Sequence, residues 1–65
     1  MTKEMLLITN CNDSMLWYSD FVGYCVPLVS TDKHSFWSKE PEGYLNIVEK
    51  EHAKLVQVID DREGV

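Results

Sequence analysis

Turn-forming residues break this chain at short intervals. Asn10, Asn12, Asp13 and Ser14 make one polar cluster, Ser30-Thr31-Asp32-Lys33 a second, and Lys39-Glu40-Pro41-Glu42-Gly43 a third. The apolar segments between them are short, and such punctuation predicts an all-β domain. Five strands are expected: Glu4–Thr9, Tyr24–Val29, His34–Ser38, Tyr44–Val48 and Lys54–Ile59. Pro27 cannot donate to a ladder, so the second strand needs an edge or a bulge there. Glu49-Lys50-Glu51-His52-Ala53 lacks Gly, Pro and β-branched residues, and suits a single helical turn before the last strand. A competing helix over Leu45–Val58 stays open. Leu45, Val48, His52, Leu55 and Ile59 recur at spacings of three and four, and short apolar runs are ambiguous by period.

The chain has 65 residues, enough for one domain spanning 1–65 with a thin margin of stability. Residues 59–65 read as a frayed tail. Met5-Leu6-Leu7-Ile8 is far short of the roughly 20 apolar residues that cross a bilayer. The N-terminal residues do not read as a secretory signal, so a cytoplasmic location is expected. In that reducing setting Cys11 and Cys25 are expected to be free, partly buried thiols.

The formal net charge is −5. Most of it follows residue 39, where Glu40, Glu42, Glu49, Glu51, Asp60, Asp61 and Glu63 outnumber Lys50, Lys54 and Arg62. Such a field repels nucleic acid, whose binding needs Lys and Arg to displace phosphate counterions. It attracts a basic protein surface.

The order of elements resembles an SH3-like small β-barrel. The likeness rests on Trp17-Tyr18-Ser19-Asp20-Phe21-Val22-Gly23 and on the closing run Gly43–Val56, where a strand enters a one-turn 3₁₀ helix and then a final strand. It is similar to the very small SH3-like proteins encoded by bacteriophages and prophage regions, over residues 5–59. The resemblance implies a five-stranded barrel, and an accessory protein that binds and modulates a host protein. The paired aromatic motif of proline-binding SH3 domains is missing, so proline-rich ligands are not implied.

Catalytic chemistry finds little support. Cys11, Cys25, His34 and His52 are too far apart in sequence for a zinc knuckle, and they read as two thiols and two solvated histidines. The pairs Glu40/Glu42, Glu49/Glu51 and Asp60/Asp61 lie in the most polar stretches, where nothing shields a carboxyl group for acid–base work. A non-enzymatic protein without cofactor or metal is the expectation.

The aromatic side chains carry the functional question. Trp17, Tyr18, Phe21, Tyr24, Phe36, Trp37 and Tyr44 compete for the interior with aliphatic residues from Leu6 to Val58. Phe21 and Phe36 have no polar group and belong inside. Trp and Tyr tolerate a half-wet position and favour interfaces. Trp17, Tyr18, Trp37 and Tyr44, with Asp20 at the rim, are therefore the candidate partner-binding patch. The alternative is that they cover the barrel ends and hold the long loop down. A protein-interaction module ranks first, a single-strand nucleic-acid-binding barrel second, and a structural or oligomerising subunit third.

Overall fold

A computed structural model describes residues 2–59. Six strands and two 3₁₀ turns follow in order: β1 (Thr2–Ile8), η1 (Ser19–Phe21), β2 (Cys25–Pro27), β3 (Ser30–Thr31), β4 (Ser35–Lys39), β5 (Leu45–Glu49), η2 (Lys50–His52) and β6 (Ala53–Ile59). They build two antiparallel three-stranded sheets, β2-β1-β6 and β3-β4-β5, with no ladder joining one sheet to the other among the described residues. The domain is all-β, as the turn spacing predicts. The helix expected as an alternative over Leu45–Val58 is not formed. Among the described residues no helix is long and apolar enough to cross a membrane.

The expected second strand is in fact two. Pro27 ends β2, and the chain passes to the other sheet as β3. The missing N–H of Pro27 removes a ladder donor at the break. Ser38 Oγ donates to the Pro27 carbonyl at 2.6 Å, and Val29 N donates to Trp37 O at 2.8 Å. These bonds stitch the crossover to β4. The fully buried Ser38 is thereby satisfied, as an interior hydroxyl must be.

Each turn has a local cause. Asp32 Oδ1 accepts from His34 N at 2.8 Å and from Ser35 N at 2.7 Å, which shapes the β3–β4 turn. Glu40–Tyr44 closes the β4–β5 hairpin, with Gly43 at φ +101°. Gly23, at φ +90°, ends the long loop after β1 and donates to Ile8 O at 2.8 Å. An added Cβ would meet nothing within 4 Å at either glycine. The requirement is therefore for the left-handed backbone and not for space. The loop itself is a series of tight turns, Leu16 N to Asp13 O, Ser19 N to Leu16 O, Phe21 N to Tyr18 O and Tyr24 N to Phe21 O.

Strand alternation selects the core. Leu6 and Ile8 of β1, Val26 of β2, Phe36 of β4, Val48 of β5 and Ala53 of β6 point inward and are buried. Tyr18 from the loop and His52 from η2 complete the interior. Strands β1 and β6 pair along their whole length, from Thr2 opposite Ile59 to Ile8 opposite Ala53. Strand β2 covers only Met5–Leu7 of that ribbon. Ile59 thus belongs to β6 and not to a frayed end. The rest of the expected tail, residues 60–65, lies outside the described residues.

Candidate functional site

Of the five residues expected to form a binding patch, one is not at the surface. Tyr18 is the clear correction: it is 1% exposed, and it is a core residue. Its hydroxyl lies 2.7 Å from His52 Nδ1 and accepts from Glu49 N at 3.3 Å. The direction of the bond between the hydroxyl and His52 follows the imidazole tautomer. Burial pushes the Tyr18 phenol above its ordinary pKa, and the nearby Glu49 carboxylate adds to the rise against the lowering effect of the Glu49 amide. His52 is buried as well, which corrects the expectation of a solvated histidine.

Trp17 is half-buried and serves two purposes. Its ring packs edge-on to Tyr18, with centroids 5.6 Å apart, and lies 6.0 Å from Phe21. Its Nε1 donates to Ile47 O at 2.9 Å, which fastens the loop to the outer edge of β5. Holding the loop down, the alternative role for these aromatics, is what Trp17 and Tyr18 do.

Trp37 lies on the outward side of β4, between Ser30 and Ile47 in the register. Its Nε1 donates to Asp32 Oδ2 at 2.9 Å. That bond, with the His34 and Ser35 amides, holds the Asp32 carboxyl below its ordinary pKa. Tyr44, 70% exposed, stands in the β4–β5 turn, and Asp20 is exposed on η1.

What the fold does assemble is an apolar cleft of about 250 Å³. Trp17 and Phe21 of the long loop, Val26 and Pro27 of β2, and Pro41 of the β4–β5 turn form its walls. Cys25, Lys39 and Glu40 complete the lining. The turn that contributes Pro41 also carries Tyr44, and exposed Tyr24 precedes Cys25 directly in sequence. Sequence reasoning singled out Trp17 and Tyr44 here but missed Cys25, Pro27, Pro41 and Tyr24. The prolines were readable as turn and edge markers, but not as walls.

A second, wider groove runs past His34, Ser35, Ile47, Glu49, Lys50 and Glu51. Lys50 Nζ sits 5.5 Å from the Phe36 ring centre. Both cysteines are free, and Cys25 is exposed where a partly buried thiol was expected. Among the described residues no three His, Cys, Asp or Glu side chains converge as metal ligands.

Compared with protein-family models, curated proteins and solved structures, the chain finds no match in any of the three.

Proposed function

We propose that this chain is a small acidic protein-interaction module, with the cleft between the long loop and the β4–β5 turn as its docking site. One observation carries the reading: Trp17, Phe21, Pro27 and Pro41 line a single open apolar recess. Rigid rings around a recess are what an anchoring side chain of a partner requires. Tyr24 and Tyr44, both exposed, extend the contact surface beyond it. The net charge of −5 favours a basic partner surface around the anchor.

The proposal includes an SH3-like architecture. Its support is the strand order: β1 between β2 and β6, a β3-β4-β5 meander, and a 3₁₀ turn between β5 and β6. With the resemblance of residues 5–59 to phage-type small barrels, this makes the partner a protein of a bacterial host, and modulation of that partner the effect.

The test is affinity capture from bacterial lysate, with wild type beside Tyr44→Ala and Cys25→Asp. Both substitutions fall on exposed positions, so the melting temperature should stay within a few degrees. A specific basic partner retained by wild type and lost by both variants is the expected result. No specific partner, or equal capture by all three proteins, defeats the reading.

A further inference from the structure

Each sheet has two outer edges, and the molecule treats the four differently. Strands β2 and β3 are three and two residues long, and β2 carries Pro27. Short edges of this kind resist pairing. The edge of β5 is closed by the chain's own side chains. Ile47 O accepts from Trp17 Nε1, Ile47 N donates to Asn46 Oδ1, and Glu49 N donates to the Tyr18 hydroxyl.

Among the described residues strand β6 has no such cover. Thr9 N donates to His52 O at 2.8 Å, and Ile8 stands opposite Ala53. Antiparallel alternation then places Lys54, Val56 and Val58 in the bonded pairs with β1. The amides and carbonyls of Leu55, Gln57 and Ile59 turn outward. No side chain among the described residues bonds to them. Leu55 is 47% exposed and Ile59 75%. Among the described residues the edge is thus long, bare and flanked by apolar side chains, while the other three are closed or short.

We propose that β6 pairs antiparallel with β6 of a second copy, about a two-fold axis through Gln57. The result is a continuous sheet of six strands, β2-β1-β6 meeting β6-β1-β2. This register follows from the strand itself. The outward groups at Leu55, Gln57 and Ile59 of one copy meet those at Ile59, Gln57 and Leu55 of the other, so every outward amide and carbonyl in this stretch gains a partner. Leu55 faces Ile59, the two most exposed apolar side chains of the strand. On the opposite side of the sheet Val56 faces Val58. Gln57 meets its own copy, where two amides bond reciprocally. No like charges stand opposite one another. The contact is isologous, so it closes as a dimer and does not propagate.

Sedimentation of the full chain, over a concentration series reaching the millimolar range, reads the equilibrium. Wild type is compared with Leu55→Lys/Ile59→Lys, which sets like charges opposite, and with Leu55→Lys/Ile59→Glu, which sets opposite charges opposite. Both positions are exposed, and a melt of each variant confirms folding. Dimerisation weakened at least about tenfold in the first variant and recovered in the second is the expected result. A monomer at every concentration overturns the proposal, including one that takes up an extended peptide along β6. A dimer indifferent to both variants overturns it equally.

Discussion

Tyr18 and His52 show how much one side-chain pair decides in a chain this small. Removing the hydroxyl with Tyr18→Phe leaves His52 Nδ1 buried without its partner. The expected cost is about 1–3 kcal/mol in urea unfolding, the usual range for an orphaned interior polar group. The same hydroxyl sets an alkaline limit. Its pKa is higher in the folded state than in the unfolded chain, where it lies near the ordinary value of about 10. Its contribution is therefore complete below that value and declines as pH rises through the folded-state pKa. A pH series of melting temperatures should show that decline in wild type and a flatter limb in Tyr18→Phe. Asp32 acts in the opposite sense. Its pKa is lowered, chiefly by the Trp37 indole, so its contribution is present above the ordinary carboxylate value and fades as pH falls through the folded-state pKa. Asp32→Asn should flatten the acid limb of the same series.

Elements were legible where a residue forces the backbone, and not where a distant partner decides. The polar clusters at Asn10–Ser14, Ser30–Lys33 and Lys39–Gly43 mark turns because Asp, Asn, Pro and Gly have local reasons to bend a chain. The structure bends at all three. Gly23 and Gly43 make that claim measurable: replacing either with Ala at its positive φ should cost about 1–2 kcal/mol in chemical denaturation. Pro27 advertised a disturbance in the second strand, but nothing in sequence says that the chain changes sheets there. That depends on Ser38, eleven positions away, accepting the role of tether. Alternation likewise told which residues of β6 share a side, but not that the side holding Leu55 and Ile59 outruns the core. Tyr18 was misplaced for the same reason. Its binding partner His52 lies 34 positions on, and an aromatic with a polar tip suits a surface and a satisfied interior equally well. The excess of apolar residues was real, yet Leu45, Ile47 and Leu55 share the outside with the aromatic residues.

At the scale of the molecule, a net charge of −5 on a thin core sets the dependence on solvent. Self-repulsion weakens a compact acidic chain, and salt screens it over about 10 Å at 0.1 M. Melting temperature should therefore rise with added sodium chloride, as read by circular dichroism at neutral pH. The pairing of β1 with β6 has a different kind of consequence. Every rung of that ladder joins residues from opposite ends of the described chain, Thr2 with Ile59 and Ile8 with Ala53. Loops of this size must close before the contacts that reward them exist, which slows folding. During synthesis, β1 leaves the ribosome first and then waits for the strand that completes its sheet. Until β6 emerges, the side of β1 that it covers from Thr2 to Ile8 is an unpaired edge. The nascent protein therefore passes through an interval with an open, sticky sheet edge.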